Sequence, residues 1–189
     1  MTNAILLHGL TSEKEYFNEE YPSSSNSHWL PWLQKRLLMA GINTATPEVP
    51  KPFEMSWNNW VKEIERFEIN ENTILVGHSM GGGFWIKYLT ERPTLKVKKV
   101  VLVAPWLNLG HEVDSDFFNF ELKKQIQDQA GEFVIYASDN DMQEVQRTTD
   151  FLKSNLLKAK YVGFHDYGHF CYRDLKTDEF PELLSEITA

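Results

Sequence analysis

The sequence predicts an α/β fold in which a mainly parallel, six-stranded sheet carries helices on both faces. Short apolar runs alternate with segments whose apolar residues recur at helical spacing, which is typical of βαβ units. The chain has 189 residues, of which 42% are hydrophobic and 13% aromatic, so we expect a single domain over residues 1–189. The runs predicted as strands are Ala4–Leu7, Gly41–Ala45, Thr73–Val76, Lys99–Val103, Phe133–Ala137 and Lys160–Gly163.

Apolar spacing and capping residues predict the helices between these strands. Pro31 is tolerated near the first turn of the first helix, and Gly41 suits its C-cap. Ser56 is predicted to cap the second helix, with Met55 and Trp60 at the positions of a hydrophobic staple. Apolar residues at helical spacing include Trp29, Leu33 and Leu37; Trp57, Val61 and Ile64; Phe84, Trp85, Tyr88 and Leu89; Val145, Leu152 and Leu156; Leu183, Leu184 and Ile187.

Charge and cysteine content restrict the partners and the setting. The formal charge of −8 repels phosphate backbones and anionic lipids, so we expect neither a nucleic-acid nor a membrane partner. No apolar run approaches the ~20 residues that a transmembrane helix needs. Cys171 is the only cysteine, and the chain opens on a strand-like run without a signal-peptide pattern, so we expect a cytoplasmic protein.

A nucleophile elbow is indicated by Gly77-His78-Ser79-Met80-Gly81, which directly follows the third predicted strand and leads into a helical pattern. A serine on such a turn is held in a strained conformation, with neighbouring backbones close by. Glycines two positions before and two after Ser79 meet that requirement. The context predicts a serine hydrolase with Ser79 as the nucleophile.

A serine nucleophile needs a base, which α/β-hydrolases supply late in the chain, after the acid. His169 lies beyond the sixth predicted strand and before the last helix, where that base is expected. His165 is the competitor, because it stands nearer the strand end, but it has an alternative role in hydrogen bonding within its own loop. We predict His169 as the base.

The acid is expected after the fifth strand, where the turn Ser138-Asp139-Asn140-Asp141 offers two carboxylates. Asp141 is preferred because it lies at the mouth of the following helix. Asp139 is well placed for an Asx turn to its own backbone, although turn chemistry explains either residue. Asp166 is a more distant candidate.

Backbone N–H groups are predicted to bind the developing oxyanion. The Met80 N–H begins the elbow helix, and the Leu10 N–H lies in the loop after the first strand, where Gly9 permits close backbone approach. His8 and His78 flank these donors, and packed, hydrogen-bonded histidines explain them without a role in proton transfer.

The sequence gives little support for a metal ion, a bound cofactor or a cysteine nucleophile. The histidines lack the spacing of a metal site, and the glycine run lacks the pattern of a nucleotide-binding loop, so we expect no metal and no cofactor. Cys171 is interpreted as a small buried hydrophobe.

Two stretches interrupt the alternation, and both are expected at the carboxyl ends of strands, where parallel sheets bind ligands. Thr11–Ser27 is polar and long for a βα connection, which fits either a solvated loop or a rim of the pocket. Ala104–Gly131 mixes aromatic and acidic residues, with a short helix predicted around Glu121–Gln127. Its aromatic residues suit a cover for the pocket.

Several motifs together resemble the small lidless α/β-hydrolases related to retinoblastoma-binding protein nine and the bacterial YdeN-type hydrolases. The resemblance spans nearly the whole chain and implies a reduced hydrolase sheet of order 2-1-3-4-5-6 with a Ser79, Asp141, His169 triad. The acid turn departs from the family-like Asp-Asp pair, because Asn140 interrupts it. The motifs are Leu7-His8-Gly9, His28-Trp29-Leu30-Pro31-Trp32-Leu33, Val76–Gly82, Val103-Ala104-Pro105, Asp139-Asn140-Asp141 and Gly168-His169-Phe170.

The function predicted from these residues is hydrolysis of small carboxylic esters through an acyl-enzyme on Ser79. The substrate would be a small-molecule ester or acyl compound, and the same machinery would serve a thioester or an amide. The alternative is a non-catalytic protein-interaction module that docks a protein partner through Trp106–Phe120, since a hydrolase fold does not guarantee turnover.

Overall fold

The computed structural model describes residues 1–189 and contains a six-stranded sheet of order β2-β1-β3-β4-β5-β6. Every neighbouring pair is parallel. Both the predicted α/β class and the strand order implied by the family resemblance are confirmed. The strands are β1 Asn3–Leu7, β2 Asn43–Ala45, β3 Thr73–His78, β4 Val97–Val103, β5 Ala130–Ser138 and β6 Lys160–Phe164.

Helices connect the strands, and single turns of 3₁₀ helix lie in the longer connections. None of the helices combines the length and the apolar character that crossing a membrane requires. The α-helices are α1 Glu13–Tyr16, α2 Leu30–Met39, α3 Trp57–Ile64, α4 Met80–Thr90, α5 Gln143–Asn155, α6 Tyr172–Leu175 and α7 Pro181–Thr188. The 3₁₀ turns are Ser24–Asn26, Pro52–Glu54, Asp116–Phe118 and Lys124–Asp128.

Two predicted caps are present. The Ser56 side chain accepts a hydrogen bond from the Asn59 N–H at the start of α3, and Gly41 follows α2 with φ of 81°. The short helix predicted around Glu121–Gln127 is instead a 3₁₀ turn that begins at Lys124. The residue before it, Lys123, has no acceptor in its side chain with which to cap an α-helix.

The middle of the sheet is covered on both sides. Every residue of β3 is buried, and in β4 only Lys98 is exposed. Strands buried on both faces are typical of parallel sheets flanked by helices. The core therefore surrounds the strand that leads to Ser79 and fixes the position of its end.

A buried lysine ties the last helix to the sheet at the amino ends of the strands. Lys99 of β4 donates to the Glu186 carbonyl at 2.6 Å and lies 3.3 Å from its carboxylate, and Lys160 of β6 approaches the same carboxylate at 2.7 Å. Burying a charge is costly unless it is paired, and here it is. This network holds α7 at the end of the sheet opposite Ser79.

Candidate active site

Ser79 lies on a sharp turn between β3 and α4, with φ of 55° and ψ of −120°. A non-glycine residue held in such a conformation costs about 1–3 kcal/mol, so the surroundings must fix it. The Ser79 N–H donates to the Val103 carbonyl at 2.9 Å, and the Ser79 carbonyl accepts from the N–H groups of Gly83 and Trp106, both at 3.1 Å. Three backbone hydrogen bonds therefore hold the turn from both sides.

Glycines allow this turn to pack against the loop after β1. A Cβ added to Gly77 would lie 2.6 Å from the Gly81 carbonyl oxygen, and one added to Gly81 would collide with the His8 carbonyl. A Cβ on Gly9 would approach within 3.0 Å of the Ser79 Cβ. A side chain at Gly77 would therefore push α4 away from β3, and one at Gly81 would push the elbow away from the end of β1.

His169 and Asp141 form a buried pair at the carboxyl ends of β5 and β6. The His169 Nδ1 lies 2.9 Å from Asp141 Oδ1 and 3.2 Å from Oδ2, and the Met142 N–H also donates to Oδ1. Because a carboxylate only accepts hydrogen bonds, Nδ1–H is the donor. The other ring nitrogen, Nε2, is then left with a lone pair, as a general base requires.

Ser79 and His169 lie in the walls of the same two cavities. The structure forms no hydrogen bond between the serine hydroxyl and the histidine ring, whose only side-chain partner is Asp141. Such contacts are often loose without substrate and tighten when it binds. The nucleophile candidate and the base candidate therefore line the same two cavities, and the acid candidate lies behind the base candidate.

Asp139 and His165 form a second pair outside these cavities. Their side chains are 2.7 Å apart, and Asp166 lies 3.0 Å from the other ring nitrogen of His165. The hydrogen bond to Asp139 raises the pKa of His165, and the same bond lowers the pKa of Asp139. The Asp139 carboxylate also accepts the Asp166 N–H. Its hydrogen-bond partners therefore come from the loop after β6, whereas the predicted Asx turn used the backbone of its own turn.

The two backbone donors predicted from the sequence border the elbow. The Leu10 N–H has no hydrogen-bond partner within the protein. The Met80 N–H opens α4, where the first N–H groups have no acceptor inside the helix. Neither N–H is therefore taken up by a regular backbone hydrogen bond, which is a condition for an oxyanion donor.

His8 and His78 are buried and engaged elsewhere. His8 Nε2 accepts the Val49 N–H at 3.0 Å, and its Nδ1 lies 2.7 Å from the Gly9 carbonyl. His78 Nε2 lies 2.8 Å from the His169 carbonyl. Burial lowers the pKa of both rings, so they stay neutral and hold the surrounding backbone.

Two cavities of unequal size meet at Ser79. The large groove has a volume of about 910 Å³, and the small cavity has a volume of about 70 Å³. The residues common to both walls are Leu10, Thr11, Ser27, His28, Ser79, His169 and Cys171.

Comparison with known proteins identifies the family of this chain. The family model described as serine hydrolase matches residues 19–183. The chain belongs to the serine hydrolase family. It is 28% identical over 171 residues to the Bacillus subtilis (strain 168) protein named "Putative hydrolase YdeN", covering 84% of this chain and 86% of that protein.

Solved structures share the fold of this serine hydrolase. The crystal structure of the Bacillus subtilis ydeN gene product superimposes with a TM-score of 0.79 at 23% identity, covering 100% of this chain and 97% of that one. XC6422 from Xanthomonas campestris, described as an α/β serine hydrolase without a lid, gives a TM-score of 0.57 at 16% identity, over 98% and 78% of the two chains. The lidless hydrolase fold is therefore shared by these proteins.

His28 is a residue of this serine hydrolase's cavity walls to which the sequence analysis assigned no role. It has a φ of 57°, and its Nδ1 accepts the Tyr172 N–H at 3.3 Å. Burial is the main cause of its lowered pKa, and repulsion from a protonated His169 ring adds to it. The residue opens one of the motifs of the family resemblance, but its place before the serine kept it outside the expected Ser, acid, His order.

Cys171 also lies in both cavity walls, two residues beyond His169. Burial raises the pKa of its thiol to about 12. Because the thiolate is the reactive form, this cysteine is a poor nucleophile near neutral pH.

Both irregular stretches contribute to the large groove. Tyr21 and Ser27 come from Thr11–Ser27, and Trp106 and Val113 come from Ala104–Gly131. The first stretch begins with α1, where Ser12 and Glu15 form a capping box. The first stretch is largely exposed, as a solvated loop is, and it also forms part of the groove wall beside Ser79.

Proposed function

We propose that this serine hydrolase cleaves small carboxylic esters through an acyl-enzyme on Ser79, with His169 as the base and Asp141 as the acid that orients it. The observation that carries the proposal is the buried Asp141–His169 hydrogen bond behind a ring that shares both cavity walls with Ser79. This is the arrangement that a serine nucleophile requires.

In the proposed reaction, Ser79 Oγ attacks the ester carbonyl carbon while His169 Nε2 accepts the hydroxyl proton. The carbonyl oxygen becomes an oxyanion, to which the N–H groups of Leu10 and Met80 donate. Each donor supplies about 3 kcal/mol of transition-state stabilisation. His169 then returns the proton to the departing alcohol, and the acyl group stays on Ser79.

Deacylation repeats the same steps with water. His169 removes a proton from water as its oxygen attacks the acyl carbon, and the proton passes to Ser79 Oγ when the acid is released. Asp141 holds the ring tautomer and stabilises the imidazolium in both halves. Thioesters and amides would follow the same path, with a thiol or an amine as the leaving group.

Hydrolysis of a short-chain 4-nitrophenyl ester by the wild-type protein and by Ser79→Ala tests the nucleophile. We expect the substitution to lower kcat/KM by about 10³-fold or more, because attack by the hydroxyl is lost. Unchanged turnover would reject Ser79. Labelling with a fluorophosphonate probe gives a second readout, since it requires an activated Ser79 but no knowledge of the substrate.

The protein-interaction alternative has weaker support in the structure. Trp106, Leu107 and Phe117 of the segment proposed for docking are buried, and the buried Lys87 amine donates to the Phe117 carbonyl. This segment therefore packs on the fold and borders the groove. Absence of fluorophosphonate labelling would favour a binding module over an enzyme.

We also propose a small-molecule substrate and a cytoplasmic setting. The charge of −8 disfavours nucleic acid and anionic membranes as partners, and the single cysteine suits a reducing compartment. Fractionation of the native cells would test the location.

A further inference from the structure

The small cavity differs from the large groove in size and in enclosure. Its volume is about 70 Å³, against about 910 Å³ for the groove. A cavity of about 150 Å³ holds one benzene molecule, so the small cavity has room for about two to four heavy atoms. The walls that it does not share with the groove include His8, Ser24, Leu30 and His78, all of them buried.

The groove, by contrast, reaches the surface. Tyr21 and Tyr172, which line the groove but not the small cavity, have exposed fractions of 53% and 58%. In a two-step ester hydrolysis the alcohol leaves first and water takes its place, whereas the acyl group stays on the serine. The open side therefore suits the leaving group, and the enclosed side suits the acyl group.

The walls of the small cavity are fixed by hydrogen bonds. His8 is held by the Val49 N–H, and His78 by the His169 carbonyl. The Ser24 and Thr11 hydroxyls are 2.6 Å apart, and the Ser24 N–H donates to Glu48. Because each of these side chains is tied to the backbone or to another side chain, the cavity resists expansion around a larger group.

We propose that the small cavity is the acyl subsite and that it restricts this serine hydrolase to acyl groups of about two or three carbon atoms. The large groove then takes an alcohol of variable size. This inference rests on the proposed function, since it assigns the two sides of the same acyl-enzyme.

A series of 4-nitrophenyl esters from acetate to octanoate tests the acyl limit in the intact protein. We expect kcat/KM to fall by about 100-fold or more between propionate and octanoate, because the longer chain does not fit a rigid pocket. Acetate esters of alcohols of increasing size serve as the matched series, and their kcat/KM should vary by only about tenfold.

The outcomes separate this inference from the proposed function. Octanoate turnover equal to that of acetate, with Ser79-dependent activity intact, would overturn the acyl limit alone. A strong preference for small alcohols with no acyl limit would reverse the assignment of the two cavities. Loss of all ester turnover together with absent fluorophosphonate labelling would overturn both.

Ser24 provides a direct test of the cavity, since it lines the small cavity but not the groove. Ser24→Leu would fill the space, and we expect kcat/KM for the acetate ester to fall by about 30-fold or more. Ser23→Leu is the matched control, because it adds the same side chain at an exposed neighbouring position that lines neither cavity, and it should stay within about threefold. Equal effects of the two variants, with unchanged thermal melting, would overturn the assignment.

Discussion

The two Asp–His pairs at the ends of β5 and β6 have similar contacts and different surroundings. Nδ1 to carboxylate distances are 2.9 Å for His169–Asp141 and 2.7 Å for His165–Asp139. The side chains of the first pair are 9% and 1% exposed, whereas those of the second are 82% and 57% exposed. The hydrogen bond alone therefore does not distinguish them, but burial and the shared cavity with Ser79 do.

Burial strengthens the electrostatic stabilisation that an aspartate carboxylate gives to a protonated histidine ring. Inside the protein the effective dielectric is low, so a charge on Asp141 acts strongly on an imidazolium at His169. Around His165, water and salt screen the same interaction. Of the two, only the buried pair, His169–Asp141, lies beside Ser79, and experiments on both pairs compare them directly.

Replacing the two histidines should give the largest contrast. We expect His169→Ala to lower kcat/KM for a short-chain aryl ester by about 10³-fold or more, because the serine loses its base. His165→Ala should leave kcat/KM within about threefold, since exposed residues away from a site have small effects. Steady-state kinetics on both variants measures this contrast, and comparable losses would contradict the assignment of the base.

Replacing the two aspartates should give a smaller contrast in the same direction. Asp141→Asn should reduce kcat by about 10²- to 10⁴-fold, since an amide can hold the ring in the wrong tautomer. Asp139→Asn is the matched control in the same turn and should retain near-normal kcat. If Asp139→Asn caused the greater loss, the acid would have to be reassigned.

The smallest expected effect is on the titration of the outer pair. Asp139 raises the pKa of His165 by hydrogen bonding, so the protonated ring stabilises the folded state. That contribution is complete below the unfolded pKa of about 6.5 and is lost as pH rises through the folded pKa. The pKa of Asp139 is lowered by the same hydrogen bond. The stability that its carboxylate contributes is therefore present above its unfolded pKa and is lost as pH falls through its folded pKa.

NMR titration of the His165 ring protons in wild type and Asp139→Asn measures this coupling. The substitution should bring the pKa of His165 down towards its ordinary value, while catalysis is unaffected. A His165 pKa that does not move in Asp139→Asn would show that the second neighbour, Asp166, is responsible.

Much of the fold could be predicted because the signals are local. Buried strands such as Thr73–His78 appear as continuous apolar runs, and the elbow needs glycines at fixed offsets from Ser79. The strand order came from the family resemblance, since alternation alone leaves several orders open. The acid turn could be located in the same local way, but its two carboxylates could not be told apart by spacing.

The arrangement of the acid turn and of the cavity walls depends on contacts between loops that are distant in sequence. Asn140 accepts hydrogen bonds from the Ser138 hydroxyl and from the Gly168 N–H, which links the acid turn to the loop that carries His169. His28 enters the cavity walls and accepts the Tyr172 N–H across 144 positions of sequence. No pattern within a short window records such contacts, so the place of His28 in the cavity walls and the small cavity itself could be found only from coordinates.

The raised pKa of the Cys171 thiol has a practical consequence for spectroscopy. With a pKa of about 12, it should remain unmodified by maleimide or iodoacetamide at neutral pH. A cysteine engineered at an exposed position would then be the only one labelled, and the native cysteine need not be removed. Fluorophores or spin labels could thus be attached singly to an otherwise natural chain.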